Sequence, residues 1–290
     1  MELYDALNQY YSAYDEEGRL LSRHGQVEFL TTVKYVEKYL QKGMKILEIG
    51  AATGRYSHYF ARKGFSVDAV ELIPHNIDLF KQNTQEGEDI CIHQGNALNL
   101  YMLKDDTYDL VLLLGPMYHL YTLAEKRQAM SEALRVLKKG GILCVAYCMV
   151  DSSIIQYAFG RNIWKDLVDQ ELLNPKTFEA RSTPEQLFEI VRKEQIDQVN
   201  AGFPIRRMHF VGTDMYTNYF REMIDSMDDE SFHFYLQYHF CICERTDMVG
   251  LSNHTLDILE KELGQFLTKR PQYYTLLSEM IQLGETGWKI

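Results

Sequence analysis

Lys45-Ile46-Leu47-Glu48-Ile49-Gly50-Ala51-Ala52-Thr53-Gly54 is the stretch on which the fold turns. A short apolar strand pattern runs into a glycine-bounded turn. Arg55 to Lys63 follows with Tyr56, Tyr59 and Phe60 on one helical face and stops at Gly64. Outward from there the pattern repeats. Ser66 to Glu71 reads as a second strand, Pro74 opens a helix at a position that tolerates proline, and Asp89 to His93 is a third strand. Tyr108 to Leu114 is almost continuously apolar, as in a strand buried on both faces. Leu123 to Leu137 is a helix whose end carries Lys138 and Lys139, and Gly141 to Cys148 is the next buried strand. Strands alternating with helices over residues 44–150 predict an α/β, doubly wound, mostly parallel sheet.

The flanks complete this architecture. Residues 1–43 form an N-terminal helical cap, with apolar positions at Val27, Leu30, Val33 and Val36. Residues 151–260 hold the rest of a seven-stranded sheet, with helical lid insertions at about 151–181 and 213–250. Within them, Ser182-Thr183-Pro184-Glu185 reads as the start of a helix reaching Gln195. Arg206 to Val211 reads as a strand, and Thr213 to Met227 as helical. Phe232 to Cys243 fits either period, and the acidic start Asp228-Asp229-Glu230 favours a helix. His254 to Glu260 is the last strand. Residues 261–290 read as a C-terminal helical tail, interrupted at Pro271.

Composition narrows the function. The 290 residues carry 41 acidic and 30 basic side chains, for a net charge of −11. That argues against nucleic acid, whose binding requires cations on phosphates. The excess is uneven. Residues 1–150 hold 16 basic and 19 acidic groups, whereas residues 151–290 hold 14 and 22. The longest apolar run, Ile142 to Val150, is too short to span a membrane. No basic-then-apolar leader pattern opens the chain, and none of the five cysteines is in C-x-x-C spacing. The expectation is a cytoplasmic protein without a metal site.

The glycine turn separates nucleotide chemistries. A dinucleotide site wants G-x-G-x-x-G and a P-loop wants G-x-x-x-x-G-K, and neither is present. Glu48-x-Gly50-x-Ala52-x-Gly54 resembles the D/E-x-G-x-G-x-G motif of class I S-adenosylmethionine-dependent methyltransferases. Glu71 ends the second strand where that family holds the ribose hydroxyls. Gly95-Asn96-Ala97 stands where G-D-A meets adenine, and Leu134 to Gly141 is similar to the R-V-L-K-P-G-G segment. The resemblance covers residues 44–150. It implies S-adenosylmethionine as cofactor, with S-adenosylhomocysteine as its product. It further implies contacts from Gly50, Ala51, Ala52, Gly54, Arg55, Glu71, Leu72, Asn96, Ala97, Leu114 and Gly115, with Glu48 orienting the turn or touching the ligand. Ala52 in place of glycine fits if its φ is negative. In related enzymes an N-terminal helix closes over the cofactor, which brings Tyr10, Tyr11 and Arg19 into consideration.

Leu114-Gly115-Pro116-Met117-Tyr118-His119-Leu120 resembles the G-P-L-Y-H-L segment of a bacterial subset of this family. It implies Tyr118 beside the transferred methyl and His119 as a base. It is also similar to the D/N/S-P-P-Y/F/W loop of amino-group methyltransferases, with Gly115 in place of the polar residue that holds an amine. The aromatic, acidic second half, with Trp164, Tyr216, Tyr219 and Phe220, suggests a lid over a cationic or aromatic small molecule. The function expected is methyl transfer to a small-molecule acceptor. The alternatives are an NAD-dependent oxidoreductase and a non-catalytic S-adenosylmethionine-binding protein. The acceptor atom and the oligomeric state are left open.

Overall fold

The computed structural model describes residues 3–14 and 16–263. Helices α1 (Leu3–Ala13), α2 (Glu16–Arg19) and α3 (Arg23–Glu37) precede the sheet. Then come β1 (Lys45–Ile49), α4 (Arg55–Arg62), β2 (Ser66–Glu71), α5 (Pro74–Asn83), β3 (Ile90–Gln94), β4 (Tyr108–Leu113), α6 (Leu123–Val136) and β5 (Leu137–Met149). After β5 follow α7 (Val150–Ser153), α8 (Trp164–Asp169), β6 (Ile190–Val191), α9 (Lys193–Asn200), β7 (Ile205–Gly212), α10 (Arg221–Asp225), α11 (Asp229–Ile242) and β8 (His254–Lys261). The sheet order is β3-β2-β1-β4-β5-β8-β7. β6 pairs with the end of β5, which makes eight strands where seven were expected. Only β8 is antiparallel to its neighbours.

Local chemistry accounts for the elements. Ser22 caps α3 by accepting from Gly25 N, and Thr122 with Glu125 closes a capping box on α6. Asp228 caps α11, which settles the ambiguous 232–243 segment as helix. The apolar residues of β1, β4 and β5 are buried, with Leu47, Val111, Leu113, Leu143 and Val145 in one cluster and Ile46, Leu110 and Leu112 in another. The sheet is therefore covered on both faces, as a central parallel sheet must be.

Three expectations change. The helix foreseen from Thr183 to Gln195 is a single turn, Pro184–Gln186, with the expected capping box. Leu187 then takes a φ of +65° and the chain extends. It does so because Glu189 N donates to Tyr118 O and Ile190–Val191 pair with β5. The 213–227 helix begins as a 3-10 turn, Met215–Phe220, with α10 after it. Asp214 is fastened to Ser252, Asn253 and His254, and Met215 has a φ of +41°. Of the helical tail foreseen over residues 261–290, Lys261 instead ends β8 and residues 262–263 are irregular, and the rest lies outside the described residues. Among the described residues no helix is long and apolar enough to cross a membrane.

Candidate functional site

The carboxyl ends of β1, β2 and β4 meet at a turn built from left-handed backbone. Gly50, Ala52 and Gly54 have φ of +78°, +47° and +89°. Gly50 and Ala51 donate to Val70 O, which ties the turn to β2. Glu71, at the end of β2, is buried. Its Oε2 accepts from Ala52 N and its Oε1 from Ile73 N, both at 2.8 Å, and Asn76 Nδ2 lies 3.4 Å from Oε1. Burial raises its carboxyl, with these donors offsetting part of the cost. Glu48 lies beneath the turn and accepts from Ser57 N at 2.9 Å and from Ser57 Oγ. A Cβ on Gly50 would stand 2.5 Å from Pro116 Cδ, so the turns after β1 and β4 interlock.

These elements enclose a cavity of about 180 Å³. Most of the residues implied by the resemblance line it: Tyr11, Arg19, Glu48, Gly50, Ala51, Ala52, Arg55, Glu71, Leu72, Asn96, Ala97, Leu114, Gly115, Tyr118 and His119. Tyr10 lines the neighbouring cavity instead. Gly54 lines neither. A Cβ there would strike Phe80 and His58, so this glycine permits close packing of α4 on α5 rather than ligand approach. Leu3, Leu7, Tyr56 and Asn76 also line the cavity, and no motif marked them in the sequence. Arg55 Nε and Asn76 Oδ1 are buried without a hydrogen-bond partner, so the wall presents an unused donor and an unused acceptor.

His119 sits where this cavity meets its neighbour, and both ring nitrogens are engaged. Leu187 O lies 2.8 Å from Nδ1 and can only accept, so Nδ1 carries the proton. Nε2 then accepts from Tyr11 OH at 2.9 Å. Burial pushes the imidazole down to about 4, which leaves it uncharged at neutral pH. His119 thereby joins α1, the β4 loop and the 187 turn, with its Nε2 lone pair directed at the Tyr11 hydroxyl. Tyr118 donates its hydroxyl to Leu114 O at 2.7 Å, so its ring rather than its hydroxyl faces the junction.

A second cavity, of about 800 Å³, opens beyond Tyr11, Arg19 and Tyr118, which line both. One side is apolar, from Ile154, Tyr157, Ala158, Ile163, Leu167 and Leu173 of the 151–181 insertion, continued by Phe188 and Ile190. The other side is polar, with Arg19, Glu28, Asp214, Asn218, Arg221 and His254. Trp164, Tyr216, Tyr219 and Phe220, expected as the aromatic lid, line neither cavity. Tyr219 instead holds Leu251 O, and Tyr216 packs into the core. α11 lines neither cavity. Its Phe232 packs with Val27 of α3 and Ile224 of α10, so the 213–250 insertion reaches the site only through Asp214, Asn218 and Arg221.

A family model described as a methyltransferase domain matches residues 47–145. The demethylmenaquinone methyltransferase of Paenarthrobacter aurescens is 32% identical over 104 residues, which is 36% of this chain and 38% of that protein. The ubiquinone biosynthesis O-methyltransferase of Methylocella silvestris is 27% identical over 105 residues, 36% of this chain and 41% of that protein. These matches thus span less than half of either relative. Among solved structures, a SAM-dependent methyltransferase from Methanosarcina mazei superposes with a TM-score of 0.53 at 16% identity. That match covers 79% of this chain and 98% of the other. Residues 47–145 thus match a methyltransferase domain, and the chain has the fold of class I methyltransferases.

The methyltransferase domain thus places Glu48 under its glycine turn, with a measurable consequence. Burial, against the two bonds from Ser57, pushes the Glu48 carboxyl up to about 8, compared with an ordinary value of 4.5. The folded state then holds a proton that the unfolded chain releases, so stability falls as pH rises from 4.5 to 8. Glu48→Gln removes that slope. From pH 5 to pH 8 its melting temperature should gain on that of the unsubstituted protein by several degrees, on the order of 2 kcal/mol. Parallel melting curves at the two pH values would remove the protonated carboxyl.

Proposed function

We propose that the chain transfers the methyl group of S-adenosylmethionine to a small-molecule acceptor, with the cofactor in the first cavity and the acceptor in the second. The observation that carries this reading is the shared wall. Tyr11, Arg19 and Tyr118 line both cavities at the carboxyl ends of the central strands, where open α/β sheets bind ligands. When bound, S-adenosylmethionine supplies an electrophilic methyl on a positively charged sulfur. An acceptor atom bonding to that methyl carbon opposite the sulfur would break the sulfur–methyl bond, and the electron pair left on sulfur would make S-adenosylhomocysteine the neutral leaving group.

The residues present fit this cofactor. Glu71 and the unpartnered Asn76 Oδ1 offer acceptors to the ribose hydroxyls. Asn96 Oδ1 is partly taken by Leu98 N at 2.9 Å, which turns the loop and leaves its second lone pair and its amide N–H₂ for adenine beside Ala97. Gly50, Ala51 and Ala52 bring backbone to the methionine portion, with Leu72, Arg55, Leu114 and Gly115 around it. Arg19 and Tyr11 stand toward its carboxylate, and Tyr118 shapes the passage through which acceptor and methyl meet. Orientation, with water excluded by the α1 cap, supplies the acceleration. His119 positions Tyr11.

The Gly115–Leu120 segment supports placement in the bacterial G-P-x-Y-H-L subset. Two relatives named as methyltransferases, one of them an O-methyltransferase, support transfer to a small molecule. None of the five cysteines is in a disulfide, which supports a reducing, cytoplasmic setting. The test is calorimetric titration with S-adenosylhomocysteine and with NAD, followed by incubation with methyl-labelled cofactor and a metabolite extract. Micromolar binding of S-adenosylhomocysteine and a labelled small product are expected. Binding of NAD instead would favour hydride chemistry, and cofactor binding without any labelled product would favour a non-catalytic binding protein.

A further inference from the structure

The acidic, aromatic second half of the sequence pointed to a cationic or aromatic acceptor, but the second cavity is charged differently from the segment that builds it. Its wall carries Arg19, His24, Arg181, Arg221 and His254 against two carboxylates, Glu28 and Asp214. Both carboxylates already face cations, and Asp214 has both of its oxygens engaged. Asp214 Oδ1 accepts from Ser252 Oγ at 2.7 Å, Asn253 N at 2.9 Å and His254 N at 3.1 Å. Its Oδ2 accepts from His254 Nδ1 at 2.7 Å and from Asn218 Nδ2. Glu28 accepts from Arg19 at 2.8 Å and lies 3.4 Å from His254 Nδ1. An ammonium group entering here would meet only carboxylates that already face a cation, Glu28 beside Arg19 and Asp214 beside His254.

The cations are not all spent. Among the described residues, neither Arg181 nor Arg221 has a carboxylate within ion-pair distance, and Arg221 Nε donates only to the neutral Asn218 at 2.8 Å. His254 stands at the carboxyl end of β5, opposite Cys148, with its Nδ1 fixed by Asp214. Burial opposes charge on this ring, but Glu28 and Asp214 outweigh it and hold the imidazole protonated. Guanidinium forks and an imidazolium N–H are donors matched to an oxyanion. Much of the remaining lining is apolar or aromatic, from Ile154, Tyr157, Ala158, Ile163, Leu167 and Phe188.

We propose that the acceptor is an amphipathic acid, its apolar body against residues 154–173 and its carboxylate or other oxyanion held by Arg181, Arg221 and His254. His254 and Arg181 are then residues that set specificity. The proposal rests on the second cavity being the acceptor site, but its test does not depend on turnover. The full chain is titrated, with and without S-adenosylhomocysteine, against a panel of amphipathic acids that includes decanoate and 2-naphthoate. Each acid is paired with its primary amide and the corresponding amine.

Acids should bind at least about tenfold more tightly than their amides and amines. The preference should shrink to under about threefold in Arg181→Gln and His254→Gln, with folding checked by circular dichroism. Equal or reversed preference, an unchanged preference in both variants, or no acid binding below millimolar concentration would overturn the proposal. If acids are preferred but S-adenosylhomocysteine does not bind, the acid-binding site stands while the proposed function, and with it the name of acceptor, fails. If S-adenosylhomocysteine binds without acid preference, the inference alone fails.

Discussion

Gly50→Ala should weaken S-adenosylhomocysteine binding by roughly 30-fold or more, about 2 kcal/mol, while leaving a folded protein. Two costs act together. Gly50 has a φ of +78°, where an L-alanine pays about 1–2 kcal/mol. Its new Cβ would also stand 2.5 Å from Pro116 Cδ and 3.0 Å from Cγ, and a proline ring has little freedom to retreat. The relief is to move the turn, which pulls Ala51 and Ala52 off the positions set by Val70 O and Glu71. Gly43→Ala separates the terms. Its φ is +87° and nothing lies within 4 Å of the added Cβ, so it bears the backbone strain without the collision and far from the cavity. Both variants should lose several degrees of melting temperature, at about 2–4 °C per kcal/mol for a chain of this size. Only Gly50→Ala should lose affinity. Equal affinity in the two variants would mean that the interlocked turns do not shape the cofactor cavity.

The strand-turn-helix around Gly50 was legible because its signals are local: an apolar strand, a turn that requires left-handed backbone, and an acid two residues before the first glycine. Ala52 shows where local reading ends. A negative φ was expected for it, and it adopts +47° because Glu71, on the next strand, accepts from its N–H. His119 shows the same limit from the chemical side. A histidine beside the expected methyl passage has the right residue type for a base, but its partners are Tyr11, 108 residues earlier, and Leu187, 68 residues later. Neither partner is visible in the motif. Charge marks a third limit. Among the described residues the acidic groups of the second half are mostly exposed, whereas Arg181 and Arg221 of that half line the second cavity. A sum over a segment does not say which way its side chains point.

Asp214→Ala should be the most destabilising single substitution in the second half, costing about 3–5 kcal/mol and lowering the melting temperature by roughly 10 °C or more. The carboxylate is fully buried at the end of β7 and serves two backbone N–H groups, the Ser252 hydroxyl, the Asn218 amide and the His254 ring. Removing it strands those donors, and a buried donor without an acceptor pays its full desolvation cost. It also leaves the His254 imidazolium with Glu28 alone. The pH dependence separates the ion pair from the remaining hydrogen bonds. His254 has a folded-state value raised well above 6.5, so the stability it draws from Asp214 is fully present below pH 6.5 and is lost as pH rises through the raised value. The gap between the unsubstituted protein and Asp214→Ala should therefore be widest near pH 6 and should narrow on the alkaline side. It should not close, because the backbone and hydroxyl donors do not titrate. Thermal melts at pH 6 and pH 9 check both statements. Asp214→Asn should fall between the two proteins, since its carbonyl can keep the Oδ1 partners while its N–H₂ opposes the His254 N–H. A loss under about 1 kcal/mol for Asp214→Ala would show that the β7–β8 connection holds the polar wall of the acceptor cavity by other means.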